Sequence, residues 1–534
     1  MREKVELIVA EARKIADVIN SFPGEIKLIS HFDCDGICSA AIFVRALGRE
    51  GKQFHLSFVK KLDDHALEEL MSDQRKLFLF TDLGSGKLES IQEKLPDGRK
   101  AIIIDHHQIQ GMVFPANRDR LFHLNPVQFG VDENISGSGV SYLVARAMSP
   151  INRDLSELAI VGALGDSQMG SIGPDWGVLG LNKEILRDAE EAGKIRIEKG
   201  LRLWGRYTRP LHKALEYCDD PKIPGISGSE SACIQFLHDM GIPPKTGDKW
   251  RTLADLSEEE AQKLAGGIIK ERVTHGEDNP EWIFGDNYEL LDKQEEFRDA
   301  NEFATIINAC GKLDRMDLAL SMCFNDFSVA DDVRKVLTSY RREIGKSISV
   351  FEKNRDIIQE KEHGTYALVG GMISENVISN ALSVVSRSGL VREKKPVFAF
   401  VDTEDGESKI SARLIGLEEP AYGLNEVIAT VATELGGEGG GHRFAAGASI
   451  PKGSEQMFIN RMEEILKQFN GHAPDNEEAA KPQKGETLNN RDTEIVKSEV
   501  KVGGRKADEQ AEESGLTDRY KKMEGKGLVR YFNA

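Results

Sequence analysis

The sequence predicts an α/β protein of 534 residues. A doubly wound parallel-sheet domain comes first, then a helical connector with an insertion, a second and smaller α/β domain, and a disordered C-terminal tail. Three observations predict this. Between Gly24 and Asp166, short apolar strands alternate with helix-length segments, as in a parallel sheet covered on both faces. Residues 175–295 lose that alternation and carry long charged helical segments. From about Asn301 to Gln468 strands and helices alternate again, and beyond residue 471 few large apolar residues remain. The expected domains are 1–174, 175–300, 301–470 and 471–534.

Residues 2–20 read as an amphipathic helix with Val5, Ile8, Ala12, Ile15 and Val18 or Ile19 on one side. Pro23-Gly24 precede an apolar strand, 25–29, and a helix is expected over 37–47. Strands at 54–59, 77–81, 101–104 and 121–124 follow, with a helix at 64–70 and an apolar run, 158–165, ending at Asp166. The connector holds helical segments at 182–201 and 256–272, equally readable as a solvated spacer or a partner-docking surface. In the second domain 366–369 and 396–401 are strands, and 408–414 pairs as a third. The glycine run 436–441 follows a helix ending near Leu435; with His442 and Arg443 behind it, it reads as a phosphate-gripping loop.

Chemistry gathers where the strands end. His31, Asp33 and Asp35 stand at alternate positions, so an extended chain would turn all three to one side. One Asp would suffice to cap the following helix; three alternating ligand-type residues exceed that need. Two further strands run into Asp82 and into Asp105-His106-His107. These residues fall beyond the carboxyl ends of the strands, where open parallel sheets place their sites. Carboxylates and imidazoles sharing one pocket call for a divalent metal.

Composition narrows the class. A net charge of -18 argues against tight nonspecific duplex binding, but not against a cleft that takes one strand. Six cysteines without CxxC spacing read as reduced packing residues. Cys34, between two presumed ligands, is turned away by the alternation and has no catalytic role. With no run of eighteen apolar residues and no signal-like N-terminus, a soluble cytoplasmic protein with no membrane partner is expected.

His31-x-Asp33-x-Asp35-Gly36, Asp82, Asp105-His106-His107 and Asp166 resemble the four motifs of the DHH phosphoesterase superfamily, in the family's order. Gly439-Gly440-Gly441-His442-Arg443-Phe444-Ala445-Ala446-Gly447 resembles the glycine-rich signature of the DHH-associated domain. Asn308-Ala309-Cys310-Gly311 and Trp204-Gly205-Arg206-Tyr207-Thr208-Arg209-Pro210-Leu211 look like the RecJ-type single-strand exonucleases, most like the archaeal, GINS-associated members. The resemblance covers roughly residues 20 to 470 and leaves out the tail.

The resemblance implies a metal-dependent exonuclease on single-stranded DNA or RNA in replication or repair, with a GINS-like complex meeting the connector. It also admits a phosphodiesterase for short oligonucleotides or cyclic dinucleotides, and a non-catalytic replication scaffold. Six protein ligands are too many for one catalytic ion that keeps open positions, so two divalent ions are expected. By resemblance His31 and Asp33 hold one, Asp35, His106 and Asp166 hold the other, and Asp82 bridges. Mixed imidazole and carboxylate ligation suits Mn²⁺ better than Mg²⁺, which remains possible. Asp105 would orient a ligand histidine, and His107 would meet the reacting phosphate. Ser411, Arg413, Gly439, Gly440, Gly441, His442 and Arg443 would grip the substrate across the interdomain cleft. Bacterial RecJ carries an oligonucleotide-binding barrel after these domains where this chain has a tail, so the direction of digestion is not implied.

Near the C-terminus Leu528, Tyr531 and Phe532 stand at i, i+3 and i+4, one face of a helical turn. The pattern resembles a sliding-clamp docking motif, with Gly525 where that motif has glutamine. A clamp partner and folding back onto this protein's own surface are equally compatible with it.

Overall fold

Strands β1 (Ile26–His31), β2 (Phe54–Val59), β3 (Leu77–Thr81), β4 (Lys100–Ile104) and β5 (Leu121–Leu124) form one all-parallel sheet in the order β2-β1-β3-β4-β5. The computed structural model describes residues 2–109, 119–131, 135–169, 177–218, 221–386, 390–391, 395–403, 405–414 and 422–470. The expected disordered tail and its Leu528, Tyr531 and Phe532 motif lie outside the described residues.

β3 and β4 read as nearly unbroken apolar runs because both faces of the sheet are covered. Period two divides their side chains between two cores. Leu77, Leu79, Ile102 and Ile104 pack with helices Arg2–Ser21, Cys34–Arg49, Gly137–Met148 and Ser156–Gly165. Phe78, Phe80, Ala101 and Ile103 pack with Asp64–Met71 and Leu88–Lys94 on the opposite face. The first helix buries Ile8, Ala12, Ile15 and Ile19, while the expected Val5 and Val18 are half-buried at its margin. Helix Gly137–Met148 carried no strong pattern and is an addition to the expected order.

The chain leaves β1 through helix Cys34–Arg49 to β2 on one side, then crosses back to β3 on the other. The strand order therefore reverses between β1 and β3. The crevice beyond their carboxyl ends is the topological switch point.

Helix Asn182–Glu191 packs into the first core, but the helix expected over 182–201 stops there. Gly193 at φ 66° ends it, and β6 (Ile195–Leu201) pairs antiparallel with β9 (Phe284–Leu290). These two strands form a stalk on which the insertion sits. It has its own core, including Leu211, Leu215, Leu237, Ile268 and Ile269, and a small hairpin of β7 (Lys245–Thr246) and β8 (Lys249–Trp250). Helix Glu258–Thr274, in place of the expected 256–272, starts with a capping box of Ser257 and Glu260.

A second sheet runs in the order β10 (Ile358–Glu360), β11 (Thr365–Gly370), β12 (Pro396–Asp402), β13 (Glu407–Leu414), β15 (Ala445–Pro451), β14 (Glu438–Gly441). β13 pairs as a strand, as the sequence led us to expect, and its partner β12 runs antiparallel to it. Two expectations are corrected. A second domain beginning at 301 does not follow the packing: helices Ala300–Lys312 and Met316–Cys323 bury Phe303, Ile307, Leu318 and Met322 in the first domain's core. The glycine run is an edge strand rather than a loop, because Glu438–Gly441 pairs with Ala446–Ser449. Gly439 lies so close to helix Leu424–Glu434 that a Cβ would stand 3.0 Å from the Cα of Ala429.

Phe43, wholly buried in the helix that follows the first motif, anchors that helix to the core. Phe43→Ala should lower unfolding free energy by about 3–5 kcal/mol in denaturant titration.

Candidate metal centre and interdomain cleft

The side chains of the switch point are set by how each strand ends. β1 ends at His31, and the extended chain continues only to Asp33; the helix starts at Cys34, ahead of the expected Ile37. Alternation therefore does not bring Asp35 to the site. Asp33 is the N-cap after all, its Oδ1 accepting the Gly36 N–H at 3.1 Å, while its Oδ2 stands 3.0 Å from Nδ1 of His31. Asp35, on the first helical turn, is buried. It accepts the N–H groups of Gly137 at 2.7 Å and Ser138 at 3.0 Å. Those are the first amides of helix Gly137–Met148, whose N-terminus favours the carboxylate. The pattern Ser136-Gly137-Ser138-Gly139 was the available sign of this support.

Asp82 follows β3 in the left-handed region, at φ 59°, with its N–H bonded to Ile104 O at 2.9 Å. A non-glycine residue there is strained and persists only where its surroundings hold it. Its carboxylate is buried with neither oxygen hydrogen-bonded. Nε2 of His106 is 3.5 Å from one oxygen and Nδ1 of His31 is 3.8 Å from the other. His106 Nε2 likewise makes no hydrogen bond and lies 3.7 Å from an oxygen of Asp35 and 3.7 Å from one of Asp166. Asp166 caps the end of helix Ser156–Gly165; Gln168 donates to its Oδ2 at 3.0 Å.

Ligand-type atoms thus gather in overlapping groups, each within 4.8 Å: His31, Asp33 and Asp82; Asp35, His106 and Asp166; Asp82, His106 and His107. Burial, with Asp35, Asp33, Asp105 and Asp166 close by, pushes the Asp82 carboxyl well above its usual range. Burial also raises Asp35, against the pull of His106. Burial would raise Asp33 and Asp166 too, but His31 outweighs it at the first, and His106 with His442 at the second, so both are lowered. Orphaned oxygen and nitrogen atoms facing one another, in an excess of negative charge, are what one or more divalent cations would satisfy.

Asp105 corrects an expectation. Its carboxylate holds the ring of His107, not that of the presumed ligand His106: Oδ1 accepts from His107 Nδ1 at 2.7 Å and from the His106 N–H at 2.8 Å, and Oδ2 from the Ser85 N–H at 2.8 Å. Burial opposes its ionisation, yet His107, His106 and the Ser85 amide hold Asp105 well below the usual carboxylate range. Burial lowers and Asp105 more than restores the His107 pKa, which rises to about 9. The His107 ring is half-exposed and lines a cavity of about 430 Å³ with His31, Lys60, Lys87, Asn425 and the outer edge of β14.

The second domain reaches this centre through the turn after β14, where Nε2 of His442 lies 3.5 Å from Oδ1 of Asp166. Gly439, Gly440 and Gly441 line the cavity. Arg443 lies in the same turn, and its carbonyl accepts the Leu424 N–H at 3.0 Å. Arg413 Nε donates to Ser383 Oγ at 2.8 Å, and its Nη2 to Ser379 O at 3.0 Å. Ser411 is buried and its hydroxyl donates to Ser379 Oγ at 3.1 Å. It braces helix Ile378–Val385, and the expected grip on substrate does not fit its position. Lys312 follows directly on Asn308-Ala309-Cys310-Gly311, and no motif in the sequence marks it. Burial lowers its pKa, Asp33 opposes that, and Lys409, Arg413 and Lys60 add to it, so these four cations share one region beside the carboxylates. All six cysteines are buried free thiols. No helix among the described residues is long and apolar enough to cross a membrane.

Sequence profiles match three stretches: the DHH family N-terminal domain over 25–163, the DHH-CID domain over 203–281 and the DHHA1 domain over 364–470. An uncharacterized protein of Methanocaldococcus jannaschii is 31% identical over 481 residues, covering 87% of this chain and 99% of the relative. The single-stranded-DNA-specific exonuclease RecJ of Thermus thermophilus is 26% identical over 201 residues, which are 36% of this chain and 28% of that protein. Among solved structures, Thermus thermophilus RecJ in complex with Mn²⁺ matches 86% of this chain and 55% of its own, with a TM-score of 0.51 at 16% identity. CDC45 from Entamoeba histolytica matches 87% and 98%, with a TM-score of 0.52 at 12% identity. These two are likenesses of fold, and this chain spans little more than half of that RecJ.

A Cβ on Gly137 would stand 2.4 Å from Asp82 Oδ1, so Gly137→Ala must displace the shared carboxylate. It should weaken Mn²⁺ binding by about 10–100-fold in calorimetry. Because the free Asp82 carboxyl is raised, an ion must displace its proton. Affinity should therefore climb with pH, with protons released on binding.

Proposed function

The chain belongs to the DHH superfamily and is RecJ-like, and from that premise we propose that it is a metal-dependent exonuclease hydrolysing phosphodiester bonds in single-stranded DNA or RNA. One observation carries the reading: a buried, unbonded Asp82 carboxylate shared between two ligand groups at the switch point. His31, Asp33 and Asp82 would hold one ion, and Asp35, His106, Asp166 and Asp82 the other. Mn²⁺ is the preferred ion because imidazole and carboxylate ligands are mixed. Two such ions, when bound, supply a water acidic enough to attack phosphorus and positive charge for the departing oxygen.

The remaining steps belong to side chains. With Nδ1 committed to Asp105, His107 turns Nε2 to the cleft, where it can bond the reacting phosphate and donate a proton. Its high pKa favours the charged, donating form; two neighbouring dications would bring that pKa down. Lys60, Lys312, Lys409 and Arg413 supply positive charge for a phosphate backbone in a chain whose net charge is -18. His442 and the edge of β14 close the cleft from the second domain.

Work on replicating or repaired DNA belongs to the same proposal, as does a GINS-like complex at the insertion, a unit with its own core. A scaffold without activity has no use for an orphaned buried carboxylate, so the catalytic reading is preferred.

Single-stranded DNA and RNA labelled at either end, with dinucleotides alongside and with Mn²⁺ or Mg²⁺, test the proposal. Stepwise shortening of the long strands is expected, and hydrolysis confined to dinucleotides would turn the assignment to short oligonucleotides. Asp82→Asn should leave no measurable hydrolysis at a melting temperature no lower than the native chain's, since it relieves the strain and the buried charge; normal turnover would sink the two-ion reading. Arg413→Ala should cost roughly 1.5–3 kcal/mol in kcat/KM on long strands.

A further inference from the structure

Behind His107 lies a set of buried polar side chains with no place in the mechanism above. Ser85, His123 and Asn125 come from the ends of β3 and β5, on either side of the β4 end that carries Asp105 and His107. Asn125 Nδ2 donates to Ser85 Oγ at 2.8 Å and to the carbonyl of His107 at 2.8 Å, while its Oδ1 accepts the Val127 N–H at 3.0 Å. Ser85 Oγ is 2.9 Å from His123 Nε2, and Gln128 Nε2 is 2.7 Å from His123 Nδ1. Burial lowers the His123 pKa to about 4, so the ring is neutral at ordinary pH. The His123 ring and the Ser85 hydroxyl are thus joined by one hydrogen bond, and the Ser85 backbone N–H donates to Asp105 Oδ2.

We propose that Ser85, His123 and Asn125 are positioning residues, a hydrogen-bonded frame that fixes Asp105 and, through it, the tautomer and direction of the His107 ring. The frame ties three consecutive loops together: Ser85 after β3, Asp105 to His107 after β4, Asn125 after β5. It does not line the cleft, and its contacts with the centre are the Ser85 N–H on Asp105 and the Asn125 amide on the His107 carbonyl, so its effect on hydrolysis passes through Asp105 and His107. This rests on the hydrolytic reading of His107, and the test separates the two.

Ser85→Ala and His123→Leu are made in the native chain and in His107→Ala, with His123→Gln as the conservative variant. On end-labelled single-stranded DNA, each should lower kcat about tenfold in the native background with KM and Mn²⁺ affinity unchanged, and His123→Gln should recover part of it. In His107→Ala neither should cost anything further. An equal loss in both backgrounds, or a fall in melting temperature and Mn²⁺ affinity in step with kcat, would make the frame merely structural and overturn the proposal. A second readout needs no hydrolysis. The proton shared by His107 and Asp105 should give a low-field NMR resonance in metal-free protein, absent in His107→Ala and shifted or broadened in Ser85→Ala and His123→Leu. A resonance that the frame variants leave unmoved overturns the proposal whatever the activity. If His107→Ala digests normally, the reading of His107 falls, and the resonance still decides the frame.

Discussion

Five carboxylates meet at one end of the parallel sheet, and the rest of the centre follows from the need to neutralise them. Four find partners within the chain: Asp33 with the Gly36 amide and His31, Asp35 with the first amides of helix Gly137–Met148, Asp105 with the His107 ring and three amides, Asp166 with Gln168. Asp82, in the middle, has none. Backbone amides can approach this closely only where side chains are missing. A Cβ on Gly137 or Gly162 would collide with Asp82 or Asp35, and one on Gly36 with the carbonyl of His31. On Gly311, at the end of helix Ala300–Lys312, it would strike the carbonyl of Phe32. These glycines let helices and loops close on the acids to within hydrogen-bond distance.

Cations also stand beside this acidic centre, in a chain whose net charge is -18. Charge on a folded protein acts locally, because salt screens it over roughly 10 Å. Lys60, Lys312, Lys409 and Arg413 come from both domains and lie near enough to act on one another beside Asp33, with Asp314 paired to Lys60 and Glu375 to Lys409. His442 reaching Asp166 makes the second domain part of the centre rather than a cover for it. The surface ion pairs Lys61–Glu407 and Lys87–Glu438 also join the domains, but exposed pairs are worth only about 0–1 kcal/mol.

Much of this could be read from residue order, and the limits have physical causes. The central strands β3 and β4 were legible because both their faces are buried and each is a nearly continuous apolar run bounded by turns. The carboxyl-end rule then placed Asp82, Asp105 and Asp166 together without any contact being known. Helix Gly137–Met148 was not legible: buried all round, it has no polar stripe to set its period, and its glycines look like a turn. Nor could the partner of Asp105 be read, since His106 and His107 are adjacent and only the turn after β4 decides which ring faces it. Ser411 and Arg413 alternate correctly on β13, but strand period does not say that helix Ile378–Val385 covers that face.

The backbone of Asp82 bears on whether the centre is a relic. A left-handed non-glycine residue costs of order 1–3 kcal/mol. A buried polar group without a hydrogen bond costs about 1–3 kcal/mol more by protein mutational measures. Asparagine or glycine at this position would relieve the strain, and an apolar residue would remove the desolvation. In a molecule that only held other proteins together, each of those changes would stabilise the fold. Asp82 keeps both costs, with an unbonded His106 Nε2 3.5 Å from one oxygen and His31 Nδ1, which lies against Asp33, 3.8 Å from the other. A cation of high charge would take up the desolvated oxygens, and its binding would offset the backbone strain that aims them at each other. The strain at Asp82 and the orphaned atoms around it are therefore one feature, an acidic cradle whose unbonded atoms a cation would satisfy.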